Sequence, residues 1–474
     1  MSINSPSPDF SRRQRLTRLM ALALPAIAEQ FLMTLVNYVD TAMVGSLGAN
    51  ATAAIAVTAS STWLIGGVLS AAGVGFSVQV AYAVGAKDTE QVKKIIRQAL
   101  LLALLIGLSV MTICLSISYQ LPVWLGAAEE ILADARSYIR IYMMAIPFNC
   151  INGTFSAILR CMGDTKTPMR LNTGSNLLNV VLNFFFIFPT RQVHLLSLSV
   201  RMPGLGLGVT GAAIASAISM ASVGIILLLI IFRRKSPYRI RLTESYRPDR
   251  AVIGRAVRLG IPVLLERVLM SGGQVFMTRM VSGLGTVALA ANHVTVTAEG
   301  ISHMPAFGVS FAATTLVGQS LGAKDQSGAV YYGKLSGWVG FLMSTFMGAI
   351  LFAFSVPLST IFSSDPQVIA LSARMLRLVA FAEPMFGVSI VLSGALRGAG
   401  DTRYPLFVSM FCMIGLRCVL APIFIFVIHM DLAAVWLAMD IDLIARGILC
   451  IWRFKSGKYL KYADRLGKSN TREF

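Results

Sequence analysis

Apolar runs of about twenty residues recur twelve times along this chain, and no other feature narrows the possible folds so far. They fall near residues 20–44, 53–82, 99–119, 137–159, 171–189 and 209–232, then near 260–282, 290–320, 335–357, 373–396, 406–429 and 433–452. Such a run is about twice as long as a membrane β-strand, and within a bilayer it satisfies its own backbone hydrogen bonds only as a helix. The expected fold class is an all-α polytopic membrane protein with twelve transmembrane helices. Composition agrees, since 55% of the 474 residues are hydrophobic and 13% are charged. A soluble domain carries about 25% charged residues, so there is too little charge here to cover a water-facing surface. The basic stretch Arg12 to Arg18 leads into a full-length span, unlike a cleavable signal.

The formal net charge is +19, from 41 Lys and Arg against 22 Asp and Glu. Thirty-one of the 41 basic residues fall in seven segments on one side of the twelve spans: before the first, in every second loop, and in the tail. The opposite loops hold Arg191 and Arg201, with Arg136, Arg140, Arg374 and Arg377 near helix starts. Cytoplasmic loops attract Lys and Arg, so both termini are expected in the cytoplasm, with the chain in a bacterial inner membrane. Basic residues dispersed over seven segments without interleaved aromatics do not form a nucleic-acid surface. The six cysteines, Cys114, Cys150, Cys161, Cys412, Cys418 and Cys450, make no C-x-x-C pair and read as small apolar core residues rather than disulfides or zinc ligands.

The chain repeats itself at an offset of 237 residues. Gly85-Ala86-Lys87-Asp88 recurs as Gly322-Ala323-Lys324-Asp325, and Leu159-Arg160 with Gly163-Asp164-Thr165 recurs as Leu396-Arg397 with Gly400-Asp401-Thr402. Pro25 with Glu29 recurs as Pro262 with Glu266. The expected organisation is a six-helix bundle over 1–232, a basic cytoplasmic linker over 233–258, a second bundle over 259–455 and a basic tail over 456–474. Two like-oriented halves of this kind leave a cleft between them and work by rocking.

Polar groups inside the spans are the functional candidates, because a charge at the bilayer centre costs about 2.5–3.5 kcal/mol. Glu29, Asn37, Asp40 and Thr41 lie in the first span, three of them on one helical face. In the fifth span Asn172, Asn176, Asn179 and Asn183 form one stripe, and Asn149, Asn152 and Ser156 form a shorter one in the fourth. Such stripes should face the bundle rather than lipid. The repeat sharpens the choice: Asn37 maps to Gln274, Asp40 to Met277 and Asn179 to Leu416, so only the first half keeps an acid beside amides. One carboxylate among oxygen donors suits a proton or Na⁺. Glu29 and Glu266 occupy equivalent places near the cytoplasmic ends of their spans and read as gating or structural, as do Arg417 and the i, i+4 pair Asp442 and Arg446. Glu383, before Pro384, is expected to line the cleft, and Glu299 with His303 forms a further i, i+4 pair. Gly206-Leu-Gly208-Val-Thr-Gly211 has no strand before it and is not a dinucleotide fingerprint.

With Val39-Asp40-Thr41-Ala42-Met43-Val44-Gly45 in the first of twelve spans and the doubled Leu-Arg…Gly-Asp-Thr segments, the chain resembles the MATE (multidrug and toxic compound extrusion) family over about residues 16 to 455. The lone first-helix acid and the asparagine-rich fifth helix look closest to its DinF-like branch. The resemblance implies a cation-coupled (proton or Na⁺) antiporter, not an enzyme, exporting organic and often cationic drugs or metabolites by alternating access. It implies coupling at Asp40 with Asn179 and Asn183 as hydrogen-bonding partners, although many DinF-like relatives would have an aspartate at Asn183. The NorM-like branch has further acids in the seventh and tenth helices, where Glu266 and Glu383 lie. Substrate or cleft candidates are Asn37, Thr41, Asn152, Asn176, Gln274, Met277 and Glu383. No cofactor is expected, no metal beyond transient Na⁺, and a monomer is the expected working unit. The alternative is a flippase for a lipid-linked precursor, which basic cleft walls would favour, with Arg417 and Arg279 the residues to locate.

Overall fold

The computed structural model describes residues 11–195, 198–233, 237–241 and 243–462. Arg234, Lys235 and residues 463–474 of the expected tail lie outside the described residues. Twelve helical columns stand where the twelve apolar runs fall. They are α1 (Arg12–Gly45), α2 (Ala49–Gly85), α3 (Thr89–Ile117), α4 (Glu129–Met144, then Ile146–Cys161), α5 (Lys166–Phe186) and α6 (Gly208–Arg233). The second half holds α7 (Arg250–Ser282), α8 (Thr286–Ser302, then Met304–Gly322), α9 (Gln326–Ala353), α10 (Pro366–Val379, then Glu383–Gly398), α11 (Arg403–Val427) and α12 (Ala433–Lys455).

Six columns contain a helix long and apolar enough to cross a membrane unaided, and the bent α4 and α10 bring the number to eight. The remaining four, α5, α7, α8 and α12, carry the polar groups described below. The bends have a sequence cause. Pro147 and Pro384 each stand in the first turn of a new helical segment, where the missing N–H and the ring clash end the preceding helix. The two bends, 49° and 58°, are repeat equivalents. α8 breaks before Pro305, whereas α2, with Val68 at the equivalent place, runs through.

One element departs from the all-α expectation. Residues taken for an outer loop form an antiparallel hairpin, β1 (Pro189–Leu195) and β2 (Leu198–Leu205). No equivalent strands separate α11 from α12, so the offset of 237 drops to about 225 between the starts of α6 and α12. The linker is also shorter than 233–258, because residues 250–258 are the first turns of α7.

A cap explains that early start. The Asp249 carboxylate accepts from the backbone N–H groups of Ala251 and Val252, both at 2.9 Å, and pairs with Lys94 of α3. Partial burial acts to raise its pKa, but Lys94 and the two N–H groups outweigh it and hold the carboxyl below its usual value. A depressed carboxylate contributes stability above its unfolded pKa, about 3.9, and loses that contribution as pH falls through the lower folded value. Asp249→Ala should therefore cost about 1 kcal/mol near neutral pH, and the cost should vanish once the wild-type cap is protonated. Melting curves at the two pH values check this.

The buried apolar core shared by the two halves lies at the end where α1 begins and α12 finishes, and at the other end the Tyr38 ring packs on Phe362. In the shared core Leu19, Leu22, Ala23 and Ile27 of α1 pack with Val309, Ala312 and Leu316 of α8. At the opposite end each bundle has its own core, around Met43, Ile187 and Ala212 in the first and Val294, Met375 and Trp436 in the second. Tyr38 reaches across, donating to the Thr297 carbonyl at 3.3 Å. α2 and α8 cross at the closed end almost symmetrically. A Cβ on Gly85 would lie 2.0 Å from the Gln319 carbonyl, and one on Gly322 would lie 2.0 Å from the Tyr82 carbonyl. Gly85→Val or Gly322→Val should loosen this end by about 1–3 kcal/mol. Faster maleimide labelling of a cysteine placed at Ser320, fully buried in the parent, would report the opening.

Candidate functional site

Asp40 lies in the C-terminal half of α1 and faces a cavity of about 270 Å³ inside the first bundle. Asn37, Asn176, Asn179, Ser216, Tyr138 and Tyr142 share its wall, and no basic residue does. The asparagine stripe of α5 faces inward, as amides against lipid would be costly. The Asn183 side-chain N–H donates to Asp40 Oδ1 and also to Asn179 Oδ1, the latter at 3.2 Å. Asn179 in turn donates to Ser216 Oγ of α6 at 3.2 Å. Asn183 is fully buried, and its carbonyl oxygen has no partner. Asp40, Asn179 and Ser216 line the cavity, and Asn183 is bonded to the first two, so a carboxylate, amides and a hydroxyl form one connected network there. That donor set accepts a proton or a hard monovalent cation. Thr41 is turned back onto the Asn37 carbonyl at 2.8 Å and does not join it.

The stripe divides between two networks. Asn172 donates to Glu29 Oε1 at 2.6 Å, and Arg160 of α4 meets the same oxygen at 2.7 Å. Asn152 donates to Asn172, and Ser156 to Asn152. Asn152 thus belongs to the Glu29 network and not to the Asp40 cavity, where the expectation had grouped it as a cleft residue. The second half repeats this arrangement: Arg397 lies 2.7 Å from Glu266, and Ser409, the equivalent of Asn172, donates to Glu266 at 3.1 Å. Glu29 is residue 18 of a 34-residue helix and Glu266 residue 17 of 33. Both are midway along their helices, not near the ends, because α1 and α7 begin earlier than the apolar runs suggested.

Other expected residues fall elsewhere. Gln274 and Met277, the equivalents of Asn37 and Asp40, line only a narrow space of about 20 Å³ with Arg417. Glu383 does not line the cleft. It is fully buried in the second bundle, accepting from Ser302 at 2.6 Å and lying 3.2 Å from His303, which is 3.5 Å from Glu299. The Pro384 bend turns it inward. Asp442 holds two arginines, Arg446 at 2.7 Å and Arg417 at 2.8 Å, all three buried. Arg279 is exposed in the last turn of α7.

Two features escaped the sequence. The stacked rings of Tyr138 and Tyr142, 6.1 Å apart, form part of the Asp40 cavity; an i, i+4 aromatic pair was the available signal. Arg267 of α7 lines a second cavity, of about 240 Å³, between the halves. It is one of four basic residues assigned neither to the cytoplasmic segments nor to the opposite loops, a remainder that the charge count already contained.

Comparison with known proteins places this geometry. The MatE family model matches residues 25–185 and 262–423, one segment in each half. A probable multidrug resistance protein NorM of Thermotoga maritima is 29% identical over 447 residues, covering 94% of this chain and 93% of its own. The multidrug resistance protein MdtK of Pectobacterium atrosepticum is 27% identical, covering 92% and 94%. A crystal structure described as MATE in the bent conformation superposes with a TM-score of 0.86 at 21% identity, covering 96% of this chain and 97% of its own. One described as an outward-facing conformation of a multidrug resistance MATE family transporter superposes equally well, with the same TM-score, identity and coverage.

Proposed function

This chain belongs to the MatE family, and from that premise we propose that it is a proton- or Na⁺-coupled antiporter that exports organic drugs or metabolites by alternating access. It is an integral membrane transporter and not an enzyme; the coupling and the cycle are our reading. The observation that carries the reading is Asp40: a single carboxylate with an amide ladder, facing a cavity with no basic residue on its wall. In the proposed cycle substrate leaves to the outside as the cation occupies Asp40, and release of the cation to the cytoplasm resets the bundle. The packing supports a rocking motion, because the buried core that the halves share lies at the end where α1 begins and α12 finishes. The basic segments support a cytoplasmic assignment of that end in a bacterial inner membrane. The separate cavity around Asp40 in the first bundle is what the DinF-like reading needs, while Asn183 departs from that branch's aspartate, and a monomer is taken as the working unit.

Transport into liposomes with proton and sodium gradients imposed separately tests this. One gradient should drive concentrative movement of substrate, and that gradient names the ion. Transport indifferent to both gradients would overturn the proposal.

A further inference from the structure

The central cavity gives the substrate a charge, an inference that rests on the transporter reading above. The cavity is walled by both halves and presents four guanidinium groups, Arg160, Arg267, Arg397 and Arg446, against one carboxylate, Glu266. Arg160 is paired with Glu29, Arg397 with Glu266, and Arg446 with an Asp442 that it shares with Arg417. Arg267 makes no hydrogen bond or ion pair of its own among the described residues; the neighbouring Glu266 carboxylate, already bonded to Arg397, acts on it only through space. Its stem projects between the halves, 3.5 Å from where a Cβ on Gly67 of α2 would stand. Glu299 and Glu383 do not offset this excess at the wall. They lie behind Phe386, whose ring meets His303 edge-on at 4.4 Å, and neither lines the cavity. Arg267 is exposed to this space midway along a membrane span, and a charged group that faces an intramembrane cavity marks a ligand site or pathway.

We propose that the central cavity binds the anionic group of an amphiphile, a carboxylate, sulfonate or phosphate, with Arg267 as its counter-charge. The planar fork of arginine suits such oxyanions. Phe307, Phe311 and Phe386 offer an apolar wall for the rest of the molecule, and Ser310, Thr314 and Ser389 offer hydroxyls. Cation coupling and substrate binding then occupy cavities of opposite polarity: Asp40 without bases in the first bundle, arginines in the centre. The anionic preference runs against the often cationic substrates that the family resemblance implies.

The test is equilibrium binding to the purified full chain in nanodiscs of neutral lipid, with carboxyfluorescein as anionic probe and ethidium as cationic probe, read by fluorescence anisotropy. Carboxyfluorescein should bind, Arg267→Gln should weaken it about tenfold or more, and Arg267→Lys should keep most of the affinity. Ethidium binding should not weaken in either variant. Equal carboxyfluorescein affinity in Arg267→Gln, no better binding by Arg267→Lys than by Arg267→Gln, or equal loss of both dyes would overturn the assignment. Nanodiscs containing phosphatidylglycerol separate two sources of the same chemistry. Displacement of the dye that depends on Arg267 identifies a lipid headgroup, and no displacement identifies a soluble anion. Because no gradient is imposed, failure here leaves the coupling role of Asp40 to its own test.

Discussion

Asp40→Asn should abolish gradient-driven export while leaving expression and membrane insertion intact. The substitution keeps the side-chain shape and one oxygen beside Asn183, but among the described residues it removes the one carboxyl on the wall of the first-bundle cavity. A single charge moving down 100 mV supplies about 2.3 kcal/mol, enough for roughly a 50-fold gradient. The expected change is from that order of accumulation to none. Downhill movement of substrate through the same variant should persist, since the halves and their closed end are untouched. Undiminished driven export would remove Asp40 from the coupling step.

The largest stability effect should come from Asp442→Asn. Asp442 is fully buried and is contacted by Arg446 at 2.7 Å and by Arg417 at 2.8 Å. Removing its charge leaves two buried guanidinium groups facing each other without compensation. Breaking one side of a buried ion pair costs about 3–5 kcal/mol, far more than the pair is worth as a whole. The double variant Asp442→Asn with Arg417→Met should recover part of the loss, because an apolar isostere no longer needs a counter-charge. Arg374→Met is the contrast: it breaks only the pair with Asp431, in which the two side chains are 64% and 54% exposed, and should cost under about 1 kcal/mol. Melting temperatures in detergent would order the three. An Asp442→Asn variant as stable as Arg374→Met would mean the triad does not hold the second bundle.

The parts of this molecule written as twenty-residue apolar runs were legible. A membrane helix must satisfy its backbone internally, so the runs mark the columns; the bends at Pro147 and Pro384 were not read from the sequence, although each proline opens a new helical segment. What lies beyond the hydrocarbon was less so. α1 and α7 extend past their apolar runs as amphipathic turns with Ser11 and Asp249 caps, which is why Glu29 and Glu266 looked terminal and stand midway. The hairpin was hidden because its strands, of seven and eight residues, lie in the run of outer segment between two spans. Asp40 stood out because the repeat gives a built-in comparison, with Met277 opposite it. Helical spacing revealed that Asn172 and Asn183 share a face, but spacing carries no information about partners, and eleven residues of rise deliver them to different acids. Arg267 gave a signal of the same kind that went unused, as one of the four basic residues left over by the charge count. Its repeat equivalent is Gln30, and only the packing of α7 against α2 makes it a wall of the central cavity.

The central claim, that Asp40 carries the coupled cation, is tested most directly by running the exchange backwards. Liposomes holding the full chain are given a substrate gradient and no ion gradient, and proton or sodium movement is recorded. Wild type should drive one of the two ions against the direction of substrate flow, and Asp40→Asn should pass substrate with no ion movement. Ion movement in Asp40→Asn equal to that of the wild type would contradict the account.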